Sequence, residues 1–214
     1  MTRARLYLAR HAQAAKHPDQ EDDHLFSTQD AGLSPQGATQ ASELARLVGD
    51  QPIEAVYASP AARAVETAEV LAAPHGLAVN VDPRLAELPV AGPDARYKDH
   101  LENIHALARA LAKGQDPEMA HGNRFSEETA RFREAIQEAL DTNEVVLVVA
   151  HGLQNRAYLA HAMGLDPARM VDLEQDHACL NMLETRGDRT VALKLNITIP
   201  ALMTEGASLE ALRT

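Results

Sequence analysis

The chain has 214 residues, of which 45% are hydrophobic and 24% charged. These are ordinary proportions for a globular protein, and at ~100–200 residues per domain they fit one domain spanning residues 1–214. Its 20 Lys and Arg against 31 Asp and Glu leave a net charge of −11, which repels nucleic acid and anionic membrane at long range. Aromatic residues are 3% with no Trp, so no base-stacking platform is expected. The longest apolar run, residues 145–150, is far short of the ~20 residues that span a bilayer. Residues 1–5 are basic, but the apolar stretch after them stops at Arg10, too soon for a secretion signal. The single cysteine, Cys179, cannot form an internal disulfide and fits a reducing cytoplasm.

Residues 5–9 read as a short apolar strand. Residues 17–30 are polar, and the acidic run 19–23 reads as a solvated loop. A helix is expected from Ser34, a capping residue followed by Pro35, with Ala41, Leu44, Ala45 and Val48 at helical period. Gly49 and Pro52 end it. Residues 53–58 are a second strand. Ser59-Pro60 repeats the cap-and-proline start for a helix over 61–73. Residues 77–81 alternate as a third strand. A helix over 94–113 places Leu101, Ile104, His105, Ala108 and Leu111 on one face, and residues 114–123 read as a loop.

Ser126, with Glu127 and Glu128 behind it, opens a helix to about Leu140, the acids favouring its positive end. Residues 145–150 are an unbroken β-branched run, the pattern of a strand buried on both faces of a parallel sheet. A helix to about Met163 follows. Residues 178–184 and 190–196 form a hairpin around Arg186. The expected fold is therefore α/β, a three-layer sandwich whose mainly parallel central sheet is flanked by helices. Residues 88–125 form a small cap insertion that governs substrate specificity, with Arg96, Lys98, His100, His105, His121 and Arg124 as its polar equipment.

Three of these strands run into polar residues: Arg10-His11, Ser59 with Arg63 one turn on, and His151-Gly152. Ligands of open α/β sheets bind at the carboxyl ends of strands, and helix N-termini there point N–H groups outward. Two histidines and two arginines therefore converge on one edge. That predicts a local pocket for a phosphate-like group on an acidic protein.

At these residues the sequence resembles the histidine phosphatase, or phosphoglycerate-mutase-like, superfamily. The likeness rests on Leu8-Ala-Arg-His-Ala-Gln13; on Asp30, Leu33, Ser34, Gly37, Gln40 and Ala41; on Ser59, Pro60, Arg63, Ala64, Thr67 and Ala68; on Arg84, Leu85 and Glu87; and on Val149-Ala-His-Gly152. The resemblance implies that His11 is the nucleophile. Arg10, Arg63 and His151 would hold the phosphoryl oxygens, and Glu87 would be general acid and base. It also brings Gln13, His17 and Gly152 to the phosphate, with Gln13 standing where many members have Glu and His17 where many have Asn. The longer stretches of the mutase branch are absent after both the first histidine motif and the acid segment, and Leu88 to Gly92 is unlike the mutase sequence.

The expected activity is a phosphomonoesterase that needs neither metal nor cofactor, acting in the cytoplasm on a small phosphorylated substrate or a phosphoprotein. The alternatives are a cofactor-dependent phosphoglycerate mutase and a non-catalytic module that binds a phosphorylated ligand. Cys179 and Arg186 are separated by six residues, one too many for a cysteine phosphatase. His17, Asp22, Asp23 and His24 lack metal-ligand spacing. The histidines at 75, 100, 105, 121, 161 and 177 read as surface or core residues. A homodimer is the default assembly.

Overall fold

The computed structural model describes residues 4–15, 31–92, 97–186 and 189–198. In chain order the elements are β1 (Arg5–Arg10), α1 (Pro35–Val48), β2 (Ala55–Ala58), α2 (Ala62–Ala72), β3 (Val79–Val81), α3 (Tyr97–Leu111), α4 (Phe125–Thr142), β4 (Val145–Ala150), α5 (Gly152–Ala162), β5 (Leu180–Arg186) and β6 (Arg189–Ile197). The strands form one mixed sheet in the order β3-β2-β4-β1-β5-β6. Strands β3, β2, β4 and β1 pair in parallel, while β5 runs antiparallel to β1 and to β6.

The period of two along the strands divides the core. Tyr7, Ala9, Leu147 and Val149 face α1 and α2, meeting Leu44, Val48, Ala68 and Leu71. Leu6, Leu8, Val146 and Val148 face the other way, onto Phe132, Ile136 and Ala139 of α4 and Leu159 of α5. Each Val, Leu, Ile or Phe among them contributes about 1.5–3 kcal/mol when fully buried. A third cluster joins Leu88, Ile104, Leu107, Leu111, Met119 and Phe125 to Leu153 and Ala157 of α5 and to Met170. The 88–125 stretch thus docks through its described residues on the helix that follows β4.

Three local expectations are corrected. Ser59 does not cap α2: the cap position is Ala61, which makes no side-chain cap bond, and the Ser59 hydroxyl faces His151 instead. Helix α3 turns Ile104, Leu107 and Leu111 inward and leaves Leu101 and His105 exposed, because the 104/107/111 stripe keeps the imidazole in water. Helix α4 starts at Phe125, one residue early. Its end is held by the Glu127 carboxylate accepting from Arg124 N–H, while Ser126 bonds Asp116. Ser34 does cap α1, accepting from Gly37 N–H at 3.0 Å.

The register sets the position of everything polar. Arg10 lies beside Ala150 and Ala58 beside Val149. The ladder continues one step further, with His11 N–H donating to Ala150 and Ser59 N–H to Val149. His11, Ser59 and His151 therefore leave three adjacent strands at one level. The chain after His11 then packs on the start of α1: Ser34 N–H donates to the Gln13 carbonyl, and a Cβ on Gly37 would lie 2.0 Å from that same oxygen. Backbone cannot yield as a flexible side chain can. Gly37→Ala should therefore cost about 3 kcal/mol, the upper part of the range for overpacking. Denaturant unfolding checks it, and a midpoint equal to wild type would show that the loop relaxes freely.

Candidate active site

His11 is buried, and its Nδ1 lies 2.8 Å from the Ala12 carbonyl oxygen. A carbonyl only accepts, so Nδ1 carries the proton and Nε2 keeps its lone pair. Arg63, in the first turn of α2, donates from Nε to His11 Nε2 at 3.3 Å. Its Nη2 stands 3.4 Å from Nδ1 of His151, which is fully buried with its ring centre 5.1 Å from that of His11. With Arg63 as donor, His151 Nδ1 accepts, and its Nε2–H donates to the Ser59 hydroxyl at 2.7 Å. Thr67 ties this turn to the loop, donating to the Arg63 carbonyl and accepting from Ala12 N–H.

Arg10 is held from the opposite side. Its Nη1 donates to the Gln175 carbonyl at 2.6 Å and its Nη2 lies 3.1 Å from His177 Nε2. Gly152 lets this side chain pass over the start of α5, since a Cβ there would meet Arg10 Nε at 3.2 Å. Glu87 is drawn to the same helix end. Its Oε1 accepts from Leu88 and Gln154 N–H at 2.9 Å, and its Oε2 accepts from Leu153 N–H at 3.2 Å. The carboxyl group thus satisfies N–H groups that α5 leaves without partners in its first turn.

Burial in this cationic surrounding governs the titration. Burial first, then Arg63 and Arg10, push His11 down to about 3. His151 is held well below its ordinary value by burial, His11 and Arg63. Glu87 is raised by burial, against the pull of its three N–H donors. A group that is neutral at pH 7 and desolvated makes a ready nucleophile, and a carboxyl group pushed upward makes a ready acid.

Of the residues singled out from sequence, His11, Arg10, Arg63, His151, Glu87 and Gly152 lie in this network. Gln13 sits beside it with Oε1 accepting from the Ser34 hydroxyl. His17 lies outside the described residues. His177, read from sequence as a surface or core residue, belongs to the site: its ring centre is 5.6 Å from that of His11. Burial and Arg10 lower it to about 4. The adjoining Ala178 takes φ 54, a left-handed conformation that is costly for alanine and that clusters at functional sites. The Gln175 carbonyl is also a member that the sequence did not disclose, and Ser59, placed at this edge from sequence, takes His151 as a partner that the sequence did not show. The signal was available in principle, because the start of an antiparallel β5 beside β1 must lie at the carboxyl end of β1.

Among the described residues no group of His, Cys, Asp and Glu is placed to hold a metal ion, and no helix is long and apolar enough to cross a membrane.

A strand order with its polar residues at one parallel edge, a paired histidine centre and two arginines defines a phosphate-handling α/β protein. Residues 6–198 match the histidine phosphatase superfamily (branch 1), and the chain belongs to that family. Among its relatives are a putative phosphoserine phosphatase of Hydrogenobacter thermophilus, 25% identical over 90% of this chain and 95% of that protein. A probable phosphoglycerate mutase of Erwinia tasmaniensis is 29% identical over 75% of each chain. In structure, the mycobacterial glucosyl-3-phosphoglycerate phosphatase with bound VO3 is similar, at a TM-score of 0.72 and 25% identity over 91% of this chain and all of that one.

The His11 shift makes stability depend on pH. Folded His11 titrates near 3 against 6.5 when unfolded, so the unfolded chain binds more protons between those values. The contribution of His11 is complete above pH 6.5 and is lost as the pH falls toward 3, with His151 and His177 adding in the same direction. Urea unfolding midpoints measured down this range should drop less steeply for His11→Gln than for wild type. Equal slopes would show that His11 is not held neutral.

Proposed function

We propose that this chain is a phosphoric monoester hydrolase that works through a phosphohistidine on His11. The observation that carries the reading is the His11 imidazole, with Nδ1–H fixed on the Ala12 carbonyl and Nε2 aimed at Arg63 between His151 and His177. Nε2 attacks phosphorus in line, a P–N bond forms and the bond to the leaving oxygen breaks. Glu87, protonated on the more lightly bonded Oε2, gives its proton to that oxygen. Its carboxylate then takes a proton from water, the water oxygen attacks phosphorus, and the P–N bond breaks to return His11 to its neutral form.

Arg10, Arg63 and the first turn of α5 supply positive charge for the phosphoryl oxygens. The Ser59 hydroxyl can also donate, so His151 can change tautomer and offer Nδ1–H to one of these oxygens. With those charges in place the chemistry needs no metal. Hydrolysis is favoured over isomerisation because the sequence lacks the mutase stretches and a phosphoserine phosphatase relative aligns over most of both chains. The 88–125 cap supplies specificity for a small phosphorylated substrate, and a cytoplasmic location suits the lone buried Cys179.

The test is hydrolysis of para-nitrophenyl phosphate in excess EDTA. Wild type should turn over, and His11→Ala should lose at least about a thousandfold, since removing a nucleophile disables the whole unit. Glu87→Gln should lose about 10²–10⁴-fold in kcat/KM on alkyl phosphates and much less in kcat/KM on para-nitrophenyl phosphate, whose leaving group needs no proton, while kcat falls on both because the attacking water still needs its base. Activity surviving in His11→Ala refutes the nucleophile assignment. EDTA sensitivity of wild type refutes metal independence.

His177 has a separate expected role as a positioning residue that holds Arg10 against the phosphate. His177→Ala should raise KM and lower kcat/KM by up to about a hundredfold. His177→Asn, which can still accept from Arg10, should recover most of it. Failure of Asn to rescue a folded enzyme would mean that the imidazole itself is needed.

A further inference from the structure

A second cluster of guanidinium groups lies at the other end of the sheet. Strand β5 runs antiparallel to β1, with Glu184 beside Arg5. The β5–β6 hairpin mouth therefore projects beyond the amino end of β1, about 20 Å of strand from His11. There Arg186 and Arg189 stand directly opposite each other as a cross-strand pair. With Arg133 of α4, His161 of α5 and Thr190 they line a cavity of about 930 Å³, together with Tyr158, Met163 and Val191.

We propose that this groove is a second, non-catalytic binding site for a phosphorylated small molecule carrying more than one negative charge. It goes beyond the hydrolase reading and does not rest on it. Like charges directly opposite on paired strands are destabilising, and here a third guanidinium is added across the cavity. Among the described residues no carboxylate lines the cavity.

Arg186 is anchored from behind, its Nε donating to the buried Glu184 at 2.6 Å. That bond fixes the side chain and leaves the rest of the guanidinium for a ligand. Among the described residues Arg133 makes one side-chain hydrogen bond, to the Thr129 hydroxyl at 3.5 Å, and Arg189 has no ion pair. Burial, and after it the nearby Arg133, lower His161. Apolar lining residues beside guanidinium groups suit an anion with an organic portion, and bidentate guanidinium contacts suit phosphate oxygens.

Inorganic tripolyphosphate is the probe, titrated calorimetrically into the His11→Ala chain so that nothing is turned over. Two saturable events are expected, one at each site. Arg63→Ala in that background should weaken only the catalytic one. Arg133→Gln with Arg189→Gln should weaken only the other, by about tenfold or more given the strength of charged hydrogen bonds, and raised salt should weaken it further. Arg46→Gln with Arg109→Gln, exposed on helices away from the groove, should change neither event. Thermal unfolding without ligand at or above the temperature of the parent chain shows that each variant folds. A single event abolished by Arg63→Ala overturns the proposal, as does equal loss from the Arg46 and Arg109 pair.

Discussion

Strand β4 carries no polar side chain on either face, and the rest of the molecule is arranged to satisfy that constraint. Both faces need an apolar layer, so α1 and α2 cover one side and α4 and α5 the other. Its backbone N–H and C=O groups need strands on both edges, which β1 and β2 provide in parallel. Three strands then end side by side. The first residues that escape the apolar layers are His11, Ser59 and His151, and they meet because they have nowhere else to emerge.

The chemistry of the edge follows from the same burial. A histidine beside two arginines in water titrates near its ordinary value. Here desolvation and the fixed guanidinium groups hold His11 and His151 neutral, while Glu87 is pushed toward its acid form. In the proposed mechanism one environment thus prepares a nucleophile and a proton donor at the same pH. The Glu87 carboxyl also closes the start of α5, so the helix end and the group proposed to serve the leaving oxygen hold each other in place.

The strained turn before β5 completes the site from the far side of the sheet. Ala178 N–H donates to the His11 carbonyl and Arg10 N–H to the Cys179 carbonyl. These bonds place His177 against Arg10. An otherwise costly alanine conformation is maintained because both neighbouring strands fix the backbone around it.

Much of this was legible in the chain itself. The unbroken 145–150 run and the alternation of apolar segments fix the α/β class, because hydrophobic period is local and strong. Ser34-Pro35 marks the start of α1 for the same reason. The pairing of Arg10-His11 with Arg63 and His151-Gly152 follows once the strands are parallel. What the sequence could not supply is any relation set by packing across the fold. Ser59 has the local form of a helix cap, yet its hydroxyl serves His151, which lies 92 residues away. His177 has no helical or metal-like spacing to mark it, and only the antiparallel return of β5 beside β1 carries it to His11. The phase of α3 was decided by contact with α5 and Met170, not by its own period. Local chemistry thus determined which elements form and which residues end them; the tertiary structure alone decided which distant side chains share a low-dielectric pocket, because burial and register belong to the whole sheet.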